Sequence, residues 1–416
     1  MDALTRRRFL LASGVVGAGA LAAGATALRF SELLQTATRT DSTNSTQKLV
    51  IVTLYGGNDG LNTVVPYADP NYHRLRPELA YDPADVLHLD DSLGLNPNLS
   101  GLKRLWDSKR LAVILGVGYP NPNRSHFRSM DIWQTASPAV PIYSGWIGRW
   151  LDGTKSGAEA AVSFEPVLPP LLVGETRAGA KISLHGLRLP PTIDHRWLEK
   201  LAAPSKDDSP MEARAAAAYA DLLTVDRMVR GSREISGAES ETQLAGQATG
   251  TGGSSALAAQ LSLVAQCIEA GVPTRVYSVS LGGFDTHAKE LAGHEALLNQ
   301  LDHALTTFVE RMSATEAGRQ VTVVVYSEFG RRVRANASEG TDHGTAGPVF
   351  VLGPRVAGGW YGAQPSLTDL DDGDLKATVD FRQVFGTLLA SVLDADPDRY
   401  LPGYRVEPLP LFLPGR

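Results

Sequence analysis

Apolar runs alternate with amphipathic segments along most of this chain, a pattern typical of a sheet covered by helices. Strands are predicted at residues 48–54, 111–117, 274–281, 321–326 and 349–352. Helices are predicted from near Leu99 and over residues 125–135, 256–270, 293–312 and 380–393. The sequence therefore predicts an α/β protein, a three-layer α/β/α sandwich with a mostly parallel central sheet.

The pattern supports one large domain over residues 48–416. It weakens over residues 137–210, which are rich in Pro and Gly and which we interpret as an insertion or a cap over the sheet. Within this segment, residues 169–173 and 181–184 are predicted to be short strands. Residues 231–255, rich in Gly, Ser, Thr and Ala, are predicted to be a flexible loop, either a plain linker or a lid.

The N-terminus has the pattern of an export signal. A basic start containing Arg6-Arg7-Arg8 precedes an Ala- and Gly-rich apolar stretch, so residues 1–27 are predicted to be a twin-arginine signal peptide. A membrane anchor is the alternative, but the stretch is short, and residues 25–27 offer a cleavage site. Residues 28–47 are predicted to be a disordered tether. We therefore expect a periplasmic or extracellular protein with no stable transmembrane span after cleavage.

Composition narrows the function classes. The chain has 416 residues, 43% of them hydrophobic, which is enough for a large core. Its net charge of -6 disfavours nucleic acid as a partner. Cys267 is the only cysteine, so no intramolecular disulfide can form, and its place on an amphipathic helix predicts a core position.

Candidate chemistry concentrates in three segments of the C-terminal half, at residues 284–287, 328–331 and 341–344. The first two follow predicted buried strands, where open α/β sheets place their sites. The side chains singled out in these segments are Asp285, His287, Glu328, Arg331, Asp342 and His343. Carboxylates and imidazoles that converge can bind a metal or exchange protons with a substrate, so the pattern indicates an enzyme.

Two earlier segments add candidates. Asp59 lies in a Gly-rich loop after the first strand, where it can be a ligand or can simply stabilise a turn. Ser125, followed by His126, falls near a predicted helix N-terminus, which favours an anion, although serine is also a common N-cap. Arg331 can hold an anionic substrate or pair with Glu328.

Together these motifs resemble an exported bacterial family known as domain of unknown function 1501, from about Lys48 to the C-terminus. The strings that carry the resemblance lie at residues 56–66, 124–127, 283–287, 327–331, 340–344 and 380–382. That family is similar in turn to the alkaline phosphatase and sulfatase superfamily, whose members hydrolyse or transfer phosphate and sulfate esters at one or two metals.

The resemblance implies roles for individual residues. It implies that Ser125 is the nucleophile and that Asp59 is the metal ligand after the first strand. It further implies that Asp285 with His287 holds a metal, that Glu328 replaces a later Asp and that His343 is the final ligand. Asp342 either binds the metal or orients His343. Beside these implied roles, His126 and Arg331 are catalytic candidates by position, although His126 can also stack under Phe127.

The chain departs from the superfamily at two points. Its Asp285 and His287 are two residues apart instead of four, and Phe329 stands where a histidine commonly follows the later carboxylate. The implied site is therefore rich in carboxylates and suited to Ca²⁺, Mg²⁺ or Mn²⁺, with Zn²⁺ as the superfamily alternative. One ion, or none, is compatible with this set.

The sequence thus predicts an exported metal-dependent hydrolase of phosphate or sulfate esters, acting on a small-molecule or polymer-borne substrate. The alternative is a non-catalytic binding or assembly protein of the cell envelope with a degenerate site. A Ser-His-Asp acyl hydrolase using Ser125 has the necessary residue types. However, residues 123–127 contain no glycine and so lack the Gly-x-Ser-x-Gly turn.

Overall fold

The computed structural model describes residues 46–165, 167–182 and 257–414, together with residues 26–27, 33–34, 36 and 203. The predicted loop at 231–255 and most of the predicted signal and tether lie outside the described residues. Among the described residues, no helix is long and apolar enough to cross a membrane.

The described strands are β1 Thr26–Ala27, β2 Lys48–Tyr55, β3 Val64–Val65, β4 Leu87–His88, β5 Gly94–Leu95, β6 Leu111–Gly118, β7 Ala161–Ser163, β8 Ala180–Lys181, β9 Val276–Gly282, β10 Val321–Ser327, β11 Gly347–Leu352, β12 Gly359–Tyr361, β13 Leu370–Asp371, β14 Asp374–Leu375 and β15 Val379–Asp380. The described α-helices are α1 Gly60–Thr63, α2 Pro70–Leu75, α3 Ser100–Asp107, α4 His126–Thr135, α5 Trp146–Gly153, α6 Leu257–Glu269, α7 Glu290–Ser313 and α8 Phe381–Ser391.

One mixed sheet of ten strands forms the centre of the fold. Its order is β1-β8-β7-β9-β2-β10-β11-β6-β12, and β15 also pairs with β6. All neighbours from β1 to β10 are parallel, whereas β11 is antiparallel to both β10 and β6. The sheet is therefore mostly parallel, as the sequence predicts.

Helices cover both faces of this sheet. Alternate residues of β2 point to opposite faces, so Val50 and Val52 join the core formed with α3, α6 and α7, and Leu49 and Ile51 join the core formed with α4, α5 and α8. All four side chains are fully buried. The three-layer α/β/α prediction is confirmed.

The long helix α7 shows how the pattern determines the layer. Its buried apolar residues Leu298, Leu301, Leu305, Phe308 and Met312 recur at helical spacing and form one continuous stripe. The helix carries the chain from β9 to β10, which lie on either side of β2. Residues 290–313 therefore extend the predicted helix by a few residues at its start.

The segment predicted as an insertion or cap contributes to these layers where it is described. Helix α5 packs in the second core, and β7 extends the sheet beside β9. The prediction of a strand at 169–173 is wrong, because residues Pro170–Leu172 form a 3₁₀ turn. Prolines 169 and 170 have no N–H to donate to a neighbouring strand. Of the strand predicted at 181–184, Ala180–Lys181 is a strand, and residues 183–184 lie outside the described part.

Replacing Phe385 by alanine is expected to lower the free energy of unfolding by about 3–5 kcal/mol. Its ring is fully buried and packs against Trp133, Trp146 and Tyr326. The matched control is Phe127→Ala at a ring that is 76% exposed, where the change is expected to stay within about 0.5 kcal/mol. Urea unfolding followed by circular dichroism measures both, and equal losses would contradict the core assignment.

Candidate functional site

Three parallel strands end together at one edge of the sheet. In the register, Tyr55 of β2 lies opposite Gly282 of β9, and Leu54 lies opposite Ser327 of β10. The following loops therefore meet. Gly56 has a φ of 118°, and a Cβ there would lie 2.5 Å from the backbone N of Asp285, so only glycine allows the first loop to pack this closely.

The side chain of Asp285 is the centre of the site. Its Oδ1 lies 2.8 Å from Arg331 Nη2, 3.0 Å from His287 Nε2, 3.1 Å from His343 Nε2 and 3.4 Å from His126 Nε2. Burial opposes ionisation of this carboxyl, but the hydrogen bond from Arg331 and the nearby imidazoles together outweigh burial and lower its pKa to about 2. Three imidazoles and one guanidinium therefore surround a single ionised oxygen.

His343 is held with Nε2 directed at Asp285. Its Nδ1 lies 2.7 Å from the carbonyl oxygen of Arg124, which can only accept, so Nδ1 carries the proton and a neutral ring keeps its lone pair on Nε2. Burial lowers the pKa of His343 despite the hydrogen bond to Arg124 and the nearby Asp285 carboxylate, and the lowered pKa favours the neutral ring. His287 Nε2 lies 2.9 Å from the same nitrogen.

His126 is held in the same way by a carboxylate. Its Nδ1 lies 2.8 Å from Glu328 Oε1, an oxygen that also accepts the N–H of Gly56, while Oε2 accepts the hydroxyl of Ser327. Burial lowers the pKa of His126, but the hydrogen bond and charge of Glu328 outweigh it and the net shift is upward. His126 Nε2 is buried and makes no hydrogen bond within the described part of the chain.

These orientations fit a metal site. Ligand atoms of His126, Asp285 and His343 all lie within 4.8 Å of one another. Each of the two histidines donates Nδ1–H to an oxygen and directs Nε2 at the group, as metal-binding histidines do. The group is richer in nitrogen than the carboxylate-rich set expected from the sequence, because Glu328 supports His126 and does not join the group. Imidazole and carboxylate ligands suit Zn²⁺ and other transition metals better than Ca²⁺ or Mg²⁺.

Arg331 is a fully buried connector between loops and is not free to hold a substrate. Besides Asp285, its guanidinium donates to the carbonyl oxygens of Gly56, Gly57, Phe284 and Thr341. The ion pair with Glu328 considered from the sequence does not form. Arg331 instead joins the loops after β2 and β9 to the loop that carries His343.

Asp59 is committed elsewhere. Its Oδ2 forms a 2.7 Å ion pair with Arg76, and its Oδ1 accepts the N–H of Leu61 as the N-cap of α1. Burial alone would raise the pKa of Asp59, but the charge of Arg76 and the hydrogen bond from Glu290 together outweigh burial and lower it to about 2. The structure does not bring Asp59 into the group around Asp285, in contrast to the ligand role implied by the family resemblance.

Behind Asp59 lies a buried polar network that the sequence did not reveal. Glu290 accepts the hydroxyl of Thr341 and interacts with Asp59, while His294 Nε2 lies 2.9 Å from Asn58 Oδ1. Burial and the charge of Asp59 raise the pKa of Glu290 to about 9. No spacing links these residues to Arg76 in the sequence. The only available signal was that Asp59, if buried, needs a cationic partner.

The remaining predicted residues lie at the rim. Ser125 is exposed at the N-cap of α4, its N–H donates to Asn123 Oδ1, and its hydroxyl makes no hydrogen bond with a described residue. The side chains of His287 and Asp342 are 45% and 59% exposed, and His287 Nδ1 lies 3.6 Å from Asp342 Oδ1.

A cavity of about 330 Å³ adjoins the site. Phe329 lines it, and the same ring lies 4.9 Å, centroid to centroid, from both His126 and His343. Arg124 connects the two regions, because its carbonyl holds His343 while its guanidinium binds Asp374 in the cavity wall.

Most of the chain matches one protein family. The model of DUF1501, a protein of unknown function, matches residues 115–411. This chain belongs to the DUF1501 family. The family predicted from the sequence motifs is confirmed, and the matched region contains every residue of the group around Asp285. No curated protein matches the chain.

Several solved structures are similar over most of this DUF1501 chain. They include the PsFucS1 sulfatase from Pseudoalteromonas sp. (10% identity, 90% of this chain, 74% of that chain, TM-score 0.40). A protein in the alkaline phosphatase superfamily from Vibrio parahaemolyticus is 8% identical over 88% of this chain and 75% of that chain, with a TM-score of 0.37. Murine ectonucleotide pyrophosphatase/phosphodiesterase 5 is 8% identical over 88% of this chain and 98% of that chain, with a TM-score of 0.35. These likenesses are too low to transfer a residue role or an activity.

The raised pKa of Glu290 predicts a pH-dependent stability. The folded chain keeps a proton that the unfolded chain loses near pH 4.5, so this contribution is present below that pH and is lost as the pH rises toward about 9. The free energy of unfolding is expected to fall from about pH 5 to about pH 9 in wild type, and the fall is expected to be smaller in Glu290→Gln. Urea titrations at several pH values measure it.

The matched control for this prediction is Glu310→Gln on the same helix, at a side chain that is 65% exposed. It is expected to keep the wild-type pH dependence. An unchanged fall in Glu290→Gln would show that Glu290 does not hold the proton.

Proposed function

We propose that this protein is an exported metal-dependent hydrolase of phosphate or sulfate esters. One observation carries the proposal: His126 and His343 each donate Nδ1–H to an oxygen and direct Nε2 at Asp285 Oδ1. The lowered pKa of His343 leaves a lone pair on its Nε2 toward the carboxylate, whereas the raised pKa of His126 favours a positive charge at its Nε2. A proton or a divalent cation between the three atoms supplies that charge.

The residues that would hold a divalent cation are His126, His343 and Asp285, with His287 as a further imidazole at the rim. The carbonyl of Arg124 and the carboxylate of Glu328 hold the two inner rings in the required tautomer. Such a cation, when bound, supplies positive charge against the charge that develops on the ester oxygens. Zn²⁺ or Mn²⁺ fits this donor set best.

Ser125 is the proposed nucleophile. Its hydroxyl is exposed, lies at the N-terminus of α4 and is adjacent in the chain to His126. The N–H groups and the dipole of the first helical turn favour the ester oxygens. Attack by Ser125 Oγ on phosphorus or sulfur breaks the bond to the alcohol, and water then hydrolyses the seryl ester. The net reaction consumes one water and releases the alcohol with phosphate or sulfate.

The leaving alcohol is proposed to occupy the cavity beside Phe329. The cavity volume of about 330 Å³ is at the lower end of the range for small-molecule sites, so the cavity suits a small alcohol or one unit of a polymer. Export is proposed on the basic and apolar pattern of residues 1–27, which indicates action in the periplasm or outside the cell.

The alternative is a non-catalytic envelope protein, and one observation favours it. Arg331 already places a permanent cation 2.8 Å from Asp285 Oδ1, and Arg76 neutralises Asp59. In an ester-hydrolysing site these two carboxylates would face a metal, whereas here each is already paired with an arginine. Metal content separates the two proposals.

Protein purified without chelator is expected to hold near-stoichiometric divalent metal, and the double variant Asp285→Ala, His343→Ala is expected to lose it. Elemental analysis measures the content. The matched control removes one Asp and one His outside the group, as Asp91→Ala, His303→Ala, two exposed residues. Metal-free wild type that takes up no metal on titration would refute the hydrolase and favour the envelope protein.

Ser125→Ala is expected to lower kcat for an aryl phosphate or aryl sulfate by about 10³-fold or more, because the nucleophile is lost. Metal content is expected to stay unchanged, since Ser125 is not among the proposed ligands. Steady-state hydrolysis with added Zn²⁺ or Mn²⁺ measures the rate. Ser338→Ala, at an exposed serine, is the control. Full activity in Ser125→Ala would assign the attack to another group.

A further inference from the structure

A second cavity lies at the opposite edge of the sheet from the candidate site. It has a volume of about 570 Å³ and is lined by residues before β6 and after β11, including Arg110 and Pro354. The site lies near the other end of β6, which has eight residues and is therefore roughly 26 Å long. The two cavities are separate.

This cavity, named here the basic groove, is lined by Lys109, Arg110 and Arg319, and none of the described residues that line it is Asp or Glu. None of the three cations forms an ion pair with a carboxylate among the described residues. Arg110 donates to Ser313 Oγ at 3.1 Å, and its other guanidinium N–H groups find no described acceptor. Three cations without a carboxylate partner thus line one cavity, although the chain has more acidic than basic residues, 45 against 39.

Two hydroxyls and one strained residue add to the groove. Ser108 and Ser313 line it beside the cations. Lys109 has a φ of 58°, in the left-handed region, at the position after a helix where glycine is preferred. Its ammonium lies 5.7 Å from the ring centroid of Trp106.

We propose that the basic groove binds a phosphate or sulfate oxyanion, at a site distinct from the ester site. Guanidinium forks and ammonium groups are the standard partners of such oxygens. The apolar wall, with Leu413 exposed by 52%, accommodates the body that carries the anion. The inference does not depend on the proposed hydrolase.

The test is titration with sodium sulfate and sodium phosphate against sodium chloride at equal ionic strength, by calorimetry and by the fluorescence of the tryptophans near Lys109. Wild type is expected to show saturable binding of sulfate or phosphate. Lys109→Gln, Arg319→Gln is expected to weaken it about tenfold or more. The matched control, Lys103→Gln, Arg399→Gln, removes two charges that are paired elsewhere and is expected to bind like wild type.

Asp285→Ala, His343→Ala separates the two sites and is expected to retain binding. A parallel titration with a sulfated polysaccharide distinguishes a polymer-borne from a free oxyanion. Three results would overturn the proposal: no saturable binding of any of these anions, equal weakening in the control, or loss of binding in Asp285→Ala, His343→Ala. Equal weakening in the control would assign the binding to net charge. Loss of binding in Asp285→Ala, His343→Ala would assign it to the proposed ester site.

Discussion

The arrangement of the site depends on the buried guanidinium of Arg331. It donates to four backbone carbonyls in three loops and to Asp285, with its side chain fully buried. Burying an unpaired charge costs several kcal/mol, and these hydrogen bonds offset that cost only when all the loops are in place. The loops after β2 and β9 and the loop of His343 are therefore ordered together, and their side chains meet because Arg331 needs all of their oxygens.

A second buried arginine, Arg76, holds Asp59 in a structural ion pair, away from the group around Asp285. Arg76 neutralises Asp59 and donates to the carbonyls of Arg332 and Val333, so the first-strand carboxylate stabilises a loop instead of facing the group around Asp285. Glu290, whose pKa is raised by burial and by the charge of Asp59, ties Thr341 to this network. The group around Asp285 thus rests on a layer of polar residues whose hydrogen bonds fix the backbone on which its side chains stand.

Charge is distributed unevenly over the two edges of the sheet. One edge gathers imidazoles around an ionised Asp285, with a cavity beside them. The other edge gathers Lys109, Arg110 and Arg319 around the basic groove. The strands that separate the edges are buried on both faces and close-packed, so the separation between the two edges is fixed.

The sequence by itself determined the elements and the edge at which the chemistry lies. Apolar runs and helical spacing are local properties, so β2, β6, β9, β10 and the helix α7 were predictable, as was the placing of Asp285 and Glu328 after strands. Only the tertiary structure decided how the charged residues are paired. The sequence does not show which cationic side chain each carboxylate meets, because long-range packing sets the partner. In the structure Asp59 pairs with Arg76, Asp285 with Arg331 and Glu328 with His126, each within hydrogen-bond distance. The tautomers of His126 and His343 follow from the same packing, because each ring takes the proton position that its neighbouring oxygen requires.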